Sequence, residues 1–170
     1  MLARLSAFVL TAFALAPVAC DDGGSSPQPT PKSATATFEA ELTNFTITME
    51  RGTCYGFCPA YTVVVKGDGT VSYVGERFVE IIGNQTSSTA PEDVARLLEQ
   101  VLAMDFFTLP ENYDCVVDAP SESLLVTLDQ RTKRVSGCPL PTELRELEAL
   151  VDEVAGTSQW IGEPGPPEAS

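Results

Sequence analysis

AYTVVVKGDGTVSYVG, residues 60 to 75, decides the fold. Tyr61, Val63 and Val65 are two positions apart, so they share one face of an extended chain. Asp68 and Gly69 follow, a pair that supplies the positive-φ residues of a tight turn. Val71 and Tyr73 then resume the alternation. Two runs of period two around such a turn predict an antiparallel hairpin with one buried face.

Working outward, FEAELTNFTITME (residues 38 to 50) alternates apolar and polar side chains of β-favouring types and predicts a neighbouring strand. On the other side RFVEIIG (residues 77 to 83) predicts a further partner, giving an antiparallel meander. The period then changes. Val94, Leu97, Leu98, Val101 and Leu102 fall on one helical face, with Pro91 in the first turn and Thr89 and Glu92 spaced as a capping box. SLLVTLDQ and TKRVSG (residues 123 to 130 and 132 to 137) predict a second hairpin. PTELRELEALVDEVAG (residues 141 to 156) predicts a second helix, with Leu144, Leu147, Leu150, Val151 and Val154 inward, Gly156 as its stop and Trp160 packing back on the core. The order β-β-β-β-α-β-β-α implies an α+β fold, an antiparallel sheet of about five or six strands with two helices on one face.

Just before the hairpin, RGTCYGFCPAY (residues 51 to 61) sets Cys54 and Cys58 around Tyr55-Gly56-Phe57. With Cys115 and Cys138 the folded part carries four cysteines, which allow three disulfide connectivities. Cys54–Cys58 is favoured because Gly56 lets so short a segment turn back. Cys115–Cys138 is favoured because the two flank the second predicted hairpin. Loop closure gives roughly 2 kcal/mol for the short ring and roughly 3.5 kcal/mol for the long one. The short ring would act locally, holding Tyr55 and Phe57 as a candidate interaction pair.

The 170 residues include 24 acidic and 10 basic side chains and no histidine, for a net charge of −14. That charge argues against nucleic acid and against anionic lipid headgroups as partners. The lack of histidine removes Ser-His-Asp and Cys-His catalysis and every His-ligated metal site. No metal and no cofactor is expected. Asp68 reads as a turn residue, because no series of calcium-ligating carboxylates surrounds it.

The first 20 residues, MLARLSAFVLTAFALAPVAC, place Arg4 before an apolar run from Leu5 to Ala16. That run is too short to span a bilayer and fits the core of an export signal. Val18, Ala19 and Cys20 resemble a bacterial lipoprotein signal, although Pro17 departs from its aliphatic preference; the resemblance implies that Cys20 is lipidated. DDGGSSPQPTPKSATA, which follows, has almost nothing to bury and reads as a tether. The expected organisation is a signal peptide over 1–19, a lipidated Cys and tether over 20–36, one domain over 37–161 and a tail over 162–170. The expected place is the bacterial cell envelope, with the membrane as partner through the lipid.

Arg51, Cys54, Tyr55-Gly56, Cys58-Pro59 and Tyr61 form an Arg-x-x-Cys-aromatic-Gly-x-Cys-Pro-x-Tyr signature. Asp68-Gly69-Thr70-Val71, Tyr73, Gly75, Phe106-Phe107, Tyr113, Asp118 and Trp160 continue it. Together they resemble a family of bacterial, often lipid-anchored domains of unknown function. The resemblance implies an exported α+β domain and supplies no activity. Three readings follow. The first is a non-catalytic module that binds an envelope protein or ligand near Tyr55 and Phe57. The second is a thiol–disulfide protein using Cys54 and Cys58, against which stand the three-residue spacing and the strand, not a helix, that follows Pro59. The third is a histidine-free hydrolase using carboxylates such as Glu50, Glu76 and Glu80.

Overall fold

The computed structural model describes residues 41–162. Strands β1 (Phe45–Arg51), β2 (Ala60–Lys66), β3 (Thr70–Arg77) and β4 (Gly83–Ser88) precede helix α1 (Pro91–Ala103) and a 3-10 turn, Phe106–Thr108. Strands β5 (Asn112–Cys115), β6 (Glu122–Leu128) and β7 (Arg131–Cys138) lead to α2 (Thr142–Ala155) and the short α3 (Ser158–Ile161). All seven strands form one sheet in the order β4-β3-β2-β1-β6-β7-β5. The β2–β3 hairpin pairs Val63 with Tyr73 and Val65 with Val71, so its apolar residues meet across the strands.

The fold is mixed α+β. Phe45, Ile47 and Met49 of β1, Tyr61, Val63 and Val65 of β2, and Leu124, Val126 and Leu128 of β6 are buried on one face of the sheet. Val94, Leu97, Leu98 and Val101 of α1 join Leu144, Leu147 and Val151 of α2 in the same cluster. Each fully buried Leu or Val contributes about 1.5–3 kcal/mol, so this layer holds the helices. Trp160 packs its ring 4.8 Å from that of Tyr73. Gly156 ends α2 in the left-handed conformation, at φ 65°.

Several expectations are corrected. The sheet has seven strands, not five or six, and one pair, β5 with β7, is parallel. The strand predicted over residues 38 to 50 begins only at Phe45, and Glu41–Thr43 is helical. The strand predicted over residues 77 to 83 is instead a bent loop. Phe78 there has φ 54°, outside strand geometry, and the fourth strand is the polar GNQTSS that follows. No capping box closes α1. Its N-cap is Ala90 without a side-chain bond, and the Thr89 N–H donates to the Gly69 carbonyl. Leu102 is exposed and Leu150 only half-buried, because the apolar arc of each helix is wider than its contact with the sheet. Of the Asp68–Gly69 pair, only Gly69 takes a positive φ, at 83°.

Antiparallel pairing collects one set of loops at one end of the sheet. The end of β1, the starts of β2 and β6, and the ends of β3, β5 and β7 all meet there. Both disulfides lie at this end. The β2–β3 and β6–β7 turns and the start of β1 lie at the other, where Asn44 donates to Asp129 at 2.9 Å.

Candidate functional site

The disulfide end presents three loops. Cys54 is bonded to Cys58 with their Cα atoms 5.6 Å apart, and Cys115 to Cys138 with 4.3 Å. Gly56 has φ 152° and donates its N–H to the Cys54 carbonyl, closing the small ring. Tyr55 and Phe57 stand 88% and 74% exposed. The Tyr55 N–H donates to the Asp118 carbonyl at 3.3 Å, which ties this loop to the one carrying exposed Val116 and Val117. On the other side the Phe57 ring meets Phe78 edge-on at 5.3 Å, and Arg77 sits over the Phe78 ring. The 78–82 loop is in turn pinned by Glu80 and Ile81 N–H groups donating to the Ile161 and Trp160 carbonyls. Single exposed apolar side chains need no explanation, but a contiguous group from three braced loops is the mark of a contact surface.

Under the ring lies a polar cluster that the sequence reading missed. Asp152 of α2 accepts from the Tyr61 hydroxyl at 2.8 and 3.0 Å, from Thr157 at 2.6 Å, and pairs with Arg51 at 3.1 Å. Glu148, one turn earlier, is fully buried 3.7 Å from the same guanidinium, and neither of its carboxyl oxygens has a hydrogen-bond partner. Burial, only partly offset by Arg51, pushes Glu148 up to about 8. Burial first, then Asp152, raises the Tyr61 hydroxyl as well. Cys58, Pro59, Pro120 and Ile161 wall a cavity of about 290 Å³ over Arg51 and Asp152. Asp152 accepts from three donors and so anchors α2 to the signature residues Arg51 and Tyr61. The available signal was Glu148 itself, a charge inside the apolar stripe formed by Leu144, Leu147 and Val151.

A family model described as Domain of unknown function (DUF6438) matches residues 45–155. The chain belongs to that family. No curated protein matches it. In this DUF6438 domain the matched stretch runs from the first residue of β1 to the last of α2, and so includes the whole sheet and both disulfides.

Other predicted positions fall as follows. The Glu50 carboxylate is held by Arg134 at 2.8 and 3.2 Å and by Ser123 at 3.1 Å; the Arg134 bond keeps it below the usual carboxylate range, which suits an acceptor and not an acid. Glu50 and Glu76 border the same cleft, and Glu80 lies apart, beside Gly162. Asp68 accepts from the Thr70 N–H at 2.9 Å within the hairpin turn. Among the described residues no three His, Cys, Asp or Glu side chains gather as a metal site, and no helix is long and apolar enough to cross a membrane. Cys20 lies outside the described residues.

Proposed function

We propose that this DUF6438 domain is a non-catalytic binding module of the bacterial cell envelope, lipid-anchored through Cys20, that engages an envelope protein or ligand with its disulfide end. The observation that carries this reading is the exposure of Tyr55 and Phe57 on a loop braced by a disulfide and flanked by exposed Val116, Val117 and Phe78. Ordering such side chains before contact lowers the entropy cost of binding. Strand direction supports the orientation. The chain enters β1 at Phe45 and reaches the apolar loops after Arg51, about 20 Å further on, so a tether before Phe45 leaves the contact loops pointing away from the anchor.

A photo-crosslinking residue at position 57, with position 132 at the opposite end as control, tests the reading in cells. A discrete adduct at 57 that is absent at 132 and lost in Tyr55→Ser supports it. Equal labelling at both positions counts against the site. Cys20→Ser abolishes incorporation of labelled palmitate if the anchor is as proposed. The thiol–disulfide reading keeps one supporting observation: Cys58 and Arg51 border the same cavity, and a neighbouring guanidinium favours a thiolate. A reduction potential far below the glutathione range removes that reading.

A further inference from the structure

We propose that the face of the sheet away from the helices binds an uncharged glycan chain, along a row of polar side chains that crosses five strands at the disulfide end. Strand register places this row. Glu50 of β1 lies opposite Thr62 of β2 and opposite Ser123 of β6. Ser123 lies opposite Ser136 of β7, and Ser136 opposite Asn112 of β5. All five line one open cleft of about 560 Å³, well within the range of small-ligand sites. Neighbouring strands are about 4.8 Å apart, so the row offers a hydrogen-bonding group at each step over about 19 Å.

The chemistry of the row selects the ligand. Thr62, Ser136 and Asn112 each both donate and accept; Ser123, whose one proton goes to Glu50, keeps a lone pair to accept with, and Glu50 accepts. Arg134 forks onto Glu50 with two bonds and donates to Ser123 at 2.9 Å, so the middle of the row is fixed before any ligand arrives. Charge-assisted bonds polarise the hydroxyls they hold, which strengthens their next hydrogen bond. A chain of hydroxyls and ether oxygens supplies both partners at every step.

The alternatives fit less well. Glu50, Glu76 and Glu122 against Arg51 and Arg134 leave an excess of carboxylate in the cleft, on a chain of net charge −14, so anionic glycans and nucleic acid are repelled. A cation finds Glu50 already paired with Arg134, and Glu122 accepting the Leu140 N–H at 2.8 Å. A peptide would seek apolar pockets or a bare strand edge, and the row has neither.

This site uses different residues from the apolar loops, so it stands or falls independently of the proposed docking role. The test is isothermal titration, with amide-shift mapping, of the full chain in a non-glycosidic detergent. The probes are neutral N-acetylglucosamine oligomers from monomer to hexamer, cellohexaose, and oligogalacturonate as the charged control. The expected result is that a neutral oligomer shifts the amides of Glu50, Ser123 and Ser136. Its affinity should rise about tenfold from dimer to tetramer, as two more steps of the row are filled, and then level off. Ser136→Ala with Asn112→Ala, which leaves the Glu50–Arg134 fork intact, should lose about tenfold without a change in melting temperature. Saturation by the monomer alone identifies a free sugar rather than a chain and overturns the proposal. So do absence of binding by every neutral oligomer, equal binding of oligogalacturonate, or shifts confined to the apolar loops.

Discussion

Glu148 should give this domain an inverted pH dependence of stability, opposite to that of most carboxylates. Its carboxyl is fully buried and faces Arg51 of β1, Glu122 of β6, and Asp152 and Arg145 of its own helix. Burial outweighs Arg51 and pushes the folded carboxyl up to about 8, against about 4.5 in the unfolded chain. The folded state therefore holds a proton that the unfolded chain releases between those values. Stability falls with pH wherever the native state binds more protons. The contribution is thus fully present below about 4.5, declines through neutrality and is gone above about 8. One pKa unit is worth about 1.36 kcal/mol, so the whole span is at most roughly 5 kcal/mol. Glu148→Gln keeps the shape and abolishes the titration. Urea unfolding of both proteins at pH 5, 6.5, 8 and 9 isolates the effect, because every other group cancels in the difference. The two should agree within about 1 kcal/mol at pH 5, and the Gln protein should be the more stable by several kcal/mol at pH 9. Parallel curves across the range would refute the reasoning, and would mean that Arg51 holds Glu148 ionised throughout.

Two further outcomes follow from the same end of the molecule. Cys115→Ser with Cys138→Ser should lower stability by roughly 3.5 kcal/mol and Cys54→Ser with Cys58→Ser by roughly 2 kcal/mol, since the loops closed are 23 and 4 residues apart; urea titration of the two pairs reads the order, and a larger loss from the short ring contradicts it. Tyr61→Phe should cost about 1–3 kcal/mol, because it removes the one hydroxyl proton shared by the two carboxylate oxygens of the half-buried Asp152, and the loss should shrink when Asp152→Ala is already present.

The parts legible in the sequence were those in which a local pattern and the tertiary environment agree. The β2–β3 hairpin and the two helices have one apolar face each, and that face meets the core. Strand β4 was invisible because GNQTSS has no apolar residue to alternate: it is an edge strand held by backbone pairing to β3 alone. RFVEIIG misled for the converse reason. Its apolar residues are spent on the Phe57 contact and on partial burial of Val79 and Ile81 against the core, not on a ladder. β5 is four residues with no buried side chain. The Arg51–Asp152 cluster joins residues about a hundred positions apart, and no spacing rule reaches so far; the misfit of Glu148 in its stripe was the one signal, and the sequence reading passed over it.

A loop that shows apolar side chains to water cannot be held by burying them, and each loop at this end is held by something else. The 54–58 loop has its disulfide and its bond to Asp118; the 78–82 loop has the two carbonyls of α3; the 116–120 loop follows Cys115, which is joined to Cys138, and the Val116 N–H donates to the Cys138 carbonyl at 2.7 Å. None of these braces needs a ligand in place. At the opposite end the hairpin turns carry Asp68 and Asp129 and expose no such group. Covalent reinforcement is therefore confined, among the described residues, to the end where the hydrophobic effect works against order. That is the distribution expected if the apolar tips are kept rigid for contact, and it is not needed if they merely fill space.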